Sequence, residues 1–314
     1  MTVEIFGLAF AVATVCAALM GFAIQRGATC AVAAVGEIAQ SGKYTKLVAL
    51  AEAAFWVSSG ILLAQSLGFF PALPKGYDVT VWTVFGGAVL GLGAYVNRAC
   101  VFGAIANLGS GNWAYALTPV GYFVGALTFP AALRAMMPTQ NTLLVANPEL
   151  LRWLMVVATL YLVTRVFGLI LLAVEARWDR QTLWGPHQAT LVIGVTFTLM
   201  LIVVGSWSYT EFLEQTARAM AQGSGWKGFL FLALILGATA GGASIGRLRW
   251  HRPEPLLLGR CFLGGMLMGW GSLLIPGSND GLILIGMPFF LPHAWVAMAA
   301  MCSTIWLCFR LKGR

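Results

Sequence analysis

Two cysteines share an unusual local context. Gly21 and Cys30 bracket the stretch GFAIQRGATC, and Gly91 and Cys100 bracket GLGAYVNRAC, so both read Gly-x8-Cys. A thiol in such a place can be a nucleophile, a metal ligand or a weak hydrogen-bond donor. Nucleophilic sulfur transfer needs a thiolate and an acid/base partner, and no histidine lies nearby in sequence. Zinc needs His, Cys or carboxylate at ligand spacing, and His187, His251 and His293 do not stand so from either cysteine. An apolar site raises a thiol's pKa and a helix N-terminus lowers it, and a transport reading takes the thiol as neutral. It donates weakly, and a series of weak donors could pass a sulfur-containing anion along without trapping it. The bland alternative is a small side chain that packs well, and this reading applies to Cys16, Cys261, Cys302 and Cys308.

Both cysteines open a run of largely apolar residues, within Gly21–Glu37 and Asn97–Asn112, and a third break at Ile275–Pro288, IPGSNDGLILIGMP, is built the same way. About ten residues of helix rise about 15 Å, half the thickness of a bilayer core. These breaks therefore read as re-entrant half-helices, whose unsatisfied N–H groups and positive ends suit an anion. Ser278, Asn279 and Asp280 are N-cap types for the third, Thr29 for the first, and Gly109 suits the end of the second. Cys30, Cys100, Ser278 and Asn279 are the candidate path residues. Gln25, Arg26, Asn97 and Arg98 flank the cysteines, and Glu52 and Arg165 are charges inside apolar segments that need partners.

The elements that must hold these residues are membrane helices. The chain is 59% hydrophobic and only 10% charged, with mean hydropathy +0.83, too little polar surface for a soluble fold. The apolar runs predict an all-α polytopic membrane protein of nine spans at about 4–22, 46–68, 79–97, 113–136, 152–174, 188–207, 227–245, 257–275 and 292–309. Residues 1–10 hold Glu4 and no Lys or Arg, so the first span is expected to be a helix and not a signal peptide. With the N-terminus outside, the cytoplasmic face receives Arg26, Lys43, Lys46, Arg98, Arg177, Arg180, Arg247, Arg249, Arg252, Arg260, Arg310, Lys312 and Arg314. The outer face then receives only Lys75, Arg134, Arg152, Arg218 and Lys227, which sets the N-terminus outside and the C-terminus in the cytoplasm. The net charge of +8 is this topology signal and implies no nucleic acid. The unevenly placed cysteines do not form a secreted disulfide framework.

An internal repeat supports the half-helix reading. Gly86, Gly87, Gly91, Gly93, Cys100 and Gly103 fall at one constant offset on Gly264, Gly265, Gly269, Gly271, Ser278 and Gly281. On the expected topology the two copies enter from opposite sides, which predicts inverted halves of one domain, about 1–140 and 150–314. Gly237–Gly246 is a weaker echo of Gly21–Cys30, with glycine at the cysteine position.

GFAIQRGATC, NRACVFGAIANLGSGNWAYALTPVGYFVG and GWGSLLIPGSNDG resemble the YeeE/YedE family of sulfur-compound transporters, and the hydrophobic layout matches over essentially the whole chain. The resemblance implies a bacterial inner-membrane protein with pseudo-symmetric halves shaped like an hourglass. It implies thiosulfate passed along cysteine thiols, no cofactor, no enzymatic activity and a small cytoplasmic sulfur-carrier protein as partner. Cys30 and Cys100 match the first two family cysteines, and Ser278 stands where the family commonly has a third. A membrane sulfurtransferase and a non-transporting sulfur-sensing subunit stay open as alternatives. On the transport reading, Cys30→Ala and Cys100→Ala each abolish or strongly reduce uptake in proteoliposomes. The four remaining cysteine-to-alanine changes are nearly silent.

Overall fold

The computed structural model describes residues 2–66, 68, 76–130, 184–218, 225–250 and 252–312, with part of 149–168. Its helices are α1 (Thr2–Arg26), α2 (Ala31–Ser41), α3 (Thr45–Ser66), α4 (Val81–Val96), α5 (Val101–Gly109) and α6 (Leu117–Thr128). They continue as α7 (Pro186–Val204), α8 (Tyr209–Ala217), α9 (Gly225–Ser244), α10 (Pro255–Leu274), α11 (Asn279–Gly281, extended by a π-helical turn over Leu282–Gly286) and α12 (Pro292–Lys312). Every described residue between 149 and 168 is helical as well.

The protein is thus an all-α polytopic membrane protein. Among the described residues, seven segments are long and apolar enough to cross a bilayer, and two of them, Gly7–Ser41 and Val81–Gly109, run through a helix break. The span expected at 113–136 is a 3-10 turn over Trp113–Ala116 followed by α6, whose described part is shorter than a crossing. Lys75, Arg134, Arg152, Arg177, Arg180, His251, Arg314 and, apart from residues 149 and 150, the boundary expected at 140–150 lie outside the described residues.

Three helices end in one way. The N–H of Thr29 reaches the carbonyl of Ile24, that of Ala99 reaches Ala94, and that of Gly277 reaches Ser272, each five residues back. This is the closing bond of a Schellman turn, which needs a left-handed residue just before the donor. Ala28 (φ 48°) and Arg98 (φ 60°) adopt it without being glycine. The next residue is extended and opens a new short helix at Cys30, Cys100 and Ser278. Each break is therefore a specified turn that hands the chain from a long helix to a half-helix.

Glycine sets how close the long helices come. Gly21 and Gly237 face backbone across α1 and α9, where an added Cβ would lie 1.9 Å from the Leu234 carbonyl and 1.8 Å from that of Ala18. Gly93 meets Gly264 and Gly86 meets Gly271, so α4 and α10 run antiparallel in backbone contact. The end of α1 at Gly27 meets the start of α7 at Ala189, so that pair is antiparallel too. Without a hydrophobic force between helices in lipid, such close packing is what holds a bundle together. Gly237→Val is expected to lower the midpoint of thermal unfolding in detergent by several degrees or to prevent folding. Gly259→Ala, on an exposed helical site with open space around it, should leave that midpoint unchanged or slightly raised.

Candidate functional site

Cys30 and Cys100 are N-caps of α2 and α5, 8% and 0% exposed. Neither thiol caps its own helix. Each sulfur instead receives an N–H from the other half-helix. The Ala31 N–H donates to Cys100 Sγ at 3.2 Å, and the Cys100 N–H donates to Cys30 Sγ at 3.4 Å. The two sulfurs, the first amide of α2 and the N-cap amide of α5 thus share one small volume. Its floor is Gly103, where a Cβ would sit 2.5 Å from Cys30 Sγ. Thr29, expected as a cap, precedes the cap, and its buried hydroxyl has no partner.

A fourth half-helix, α8, completes the arrangement and was not expected from sequence. YTEFLEQTA is too polar to register as a membrane element. Ser208 is its N-cap and accepts from the Glu211 N–H at 3.2 Å. Gly237–Gly246, the weaker echo, holds no half-helix: it lies in the end of α9 and the turn after it. Ser208 follows Cys30 by the same number of residues as Ser278 follows Cys100.

The serine pair is joined through Thr210, whose hydroxyl lies 3.2 Å from that of Ser208 and 2.6 Å from that of Ser278. Both serines line a cavity of about 440 Å³, with Tyr77, Glu211, Glu214 and His293 farther along its wall. Tyr209 links the pairs, since its hydroxyl donates to the Val101 carbonyl at the head of α5 at 2.9 Å. Cysteine N-caps and serine N-caps are thereby stacked around one buried centre. Two polar groups beside it are unspent: Asn279, 0% exposed with neither amide atom bonded, and the indole N–H of buried Trp207. An unpaired buried polar group costs about 1–3 kcal/mol, which a polar ligand would offset.

The flanking candidates divide. Asn97 is fully engaged, donating to the Ala99 carbonyl at 2.7 Å and accepting from Thr118 at 2.9 Å, and so braces the turn into Cys100. Gln25 donates to Ser110 at 3.2 Å while its carbonyl oxygen stays unbonded. Arg26 reaches Ser244 at 3.4 Å and lies over the Trp184 ring, and Arg98 is exposed. Glu52 and Arg165 pair with each other, and Glu52 also meets His187 Nδ1 at 2.7 Å. Arg165 and His187 border a separate cavity of about 150 Å³ to which none of the four N-caps belongs. Cys16 lies in an apolar groove between α1 and α7, and Cys261 is buried in α10.

A profile of the sulphur transport family matches residues 26–307. The chain belongs to that family. It is 24% identical to the thiosulfate transporter TsuA of Spirochaeta thermophila, over 93% of this chain and 97% of the relative. It is 22% identical to the thiosulfate transporter TsuA of Escherichia coli, over 93% of this chain and 91% of the relative. In this member of the sulphur transport family, Gly103→Ala should displace the Cys30 thiol while leaving α5 helical. The expected result is a change of at least about threefold in the rate at which Cys30 reacts with a methanethiosulfonate reagent, read with Cys100 replaced.

Proposed function

We propose that the protein is a transporter of thiosulfate or a related small sulfur-containing anion, passed inward between the serine N-caps and the cysteine N-caps. The carrying observation is the reciprocal contact between Cys30 and Cys100, where Cys100 Sγ accepts from the first amide of α2 and Cys30 Sγ accepts from the amide of Cys100, the N-cap of α5. Two helix N-termini facing each other repel when empty and both favour an anion placed between them. Neutral thiols add weak donors matched to a soft sulfur atom, and serine hydroxyls add stronger donors matched to oxygens. An anion entering from the Ser208 and Ser278 side then meets donors of falling strength, so it is held at the serines and let go past the cysteines.

In this reading the protein is not an enzyme and needs no cofactor. It sits in a bacterial inner membrane with the N-terminus outside, the C-terminus in the cytoplasm and the 440 Å³ cavity facing out. A cytoplasmic sulfur-carrier protein would receive the anion. The two halves are inverted copies, supported by the shared offset of the N-caps and by the antiparallel packing of α4 on α10. Neither described histidine offers the sulfurtransferase alternative a base at the thiols: His187 is held by Glu52, and His293 accepts from the Tyr77 N–H at 3.3 Å.

Uptake of radiolabelled thiosulfate into proteoliposomes tests the reading. Saturable uptake is expected, and no uptake together with a persulfide on Cys30 would favour the sulfurtransferase instead. A hydroxyl holds an anion more strongly than a thiol by about 1 kcal/mol, roughly fivefold in dwell time. Ser278→Cys should therefore transport at least as fast as the parent. Ser278→Ala should keep more activity than Cys30→Ala, because Asn279 and backbone amides remain as donors. A folded Ser278→Cys protein slower than the parent would refute the dwell-time argument.

A further inference from the structure

One buried acid has no part in the path as described. Asp280 is 1% exposed, and three donors converge on its Oδ1: the Ser278 hydroxyl, the Thr210 hydroxyl at 2.6 Å and the Gly281 N–H at 3.0 Å. Ser278 and Gly281 also line the 440 Å³ cavity, so these are groups that an anion arriving there would meet first. A carboxylate and a sulfur oxyanion recognise the same donors. While Asp280 is ionised it holds the donor set, and its charge repels a second anion in surroundings that screen poorly.

Among the described residues the neighbourhood offers the acid no ion-paired counter-ion. Tyr209, Glu211, Glu214 and Arg218 face the region from α8, Tyr122 from α6, Cys100 from the head of α5, and Tyr77 and His293 from the outer end of the cavity. Arg218 pairs with Glu214 at 3.0 Å, and Lys227 is drawn to Gln215 at 2.7 Å. Among the described residues no Lys, Arg or His forms an ion pair with Asp280. Asn279, directly before it, keeps both amide atoms unbonded at 0% exposure.

We propose that Asp280 is a proton-operated gate on the anion path: its carboxylate occupies the donors at the serine pair, and binding of one proton from the outer cavity releases them to the anion. The proton adds to the carboxylate, and the neutral acid can itself donate its O–H to the incoming anion. Proton binding and anion binding then help each other by equal amounts. The sign is fixed: anion entry is favoured at low external pH and is lost as Asp280 ionises. The inference rests on the transport reading and names the ion that regulates it.

The test is thiosulfate counterflow in proteoliposomes of the full chain, with internal pH held and external pH varied between about 5 and 8. Initial rates should fall with rising pH, approaching about tenfold per pH unit, the limit for one titrating group. Asp280→Asn cannot ionise and should exchange at rates within about twofold across that range. Thr210→Val removes one donor to the carboxylate and should shift the pH midpoint upward with the slope kept. Glu211→Gln should retain the slope. Equal wild-type exchange at every pH would overturn the gate alone. So would a slope abolished by Glu211→Gln but kept by Asp280→Asn, or a folded Asp280→Asn protein with no exchange. An unmoved midpoint in Thr210→Val would overturn it where Asp280→Asn does not fold. No wild-type exchange even at about pH 5 would remove the transport reading and the gate with it.

Discussion

A helix that ends inside a protein leaves several backbone N–H groups with no partner in the helix, and in a membrane protein no bulk water waits to take them. This chain builds four such ends around one centre, headed by Cys30, Cys100, Ser208 and Ser278. Most of the remaining structure can be read as the means of tolerating that arrangement. The Schellman turns consume the carbonyls left by the long helices. The sulfurs of Cys30 and Cys100 take an amide each from the opposing half-helix. Ser208 takes one from its own. What is left over, above all Asn279, is polar capacity without a partner.

Holding four half-helix heads together requires the long helices around them to come very close. The glycines of α1 and α9, and of α4 and α10, allow backbone to touch backbone. They do not line the centre. Their effect is on position, because a displacement of about 1 Å in the long helices would separate sulfurs and amides now at hydrogen-bond distance. Asn97 works in the same manner at shorter range, since its two hydrogen bonds fasten the turn that presents Cys100.

The centre is chemically graded. One pair of heads carries thiols and the other carries hydroxyls with an acid attached, Asp280. A thiol gives little to an anion and a hydroxyl gives more, whereas a carboxylate takes the same donors away. On the proposed transport path the serine side is therefore the better place to hold or refuse an anion, and the cysteine side the better place to let it go.

The amino-acid sequence alone determined the class of the protein and the short helices that Cys30, Cys100 and Ser278 open. Long apolar runs with few charges can fold only as membrane helices, and short runs opened by Cys30, Cys100 and Ser278 cannot span, so they must be half-helices. What sequence reading could not reach was α8, because hydropathy sees a polar stretch where the structure places a half-helix sheltered beside the cavity. Ser208 was missed with it, although its spacing from Cys30 repeats that of Ser278 from Cys100; a serine among polar residues carries no signal until its pairing with Thr210 is seen. Asn97, Glu52 and Arg165 were plausible path residues by type. Only tertiary contacts show which partners they have: Asn97 bonds Ala99 and Thr118, and Glu52 pairs with Arg165 and His187. Residue type limits what a side chain can donate or accept, but the partner that uses it comes from segments far away in the chain, and only the packed helices bring those segments together.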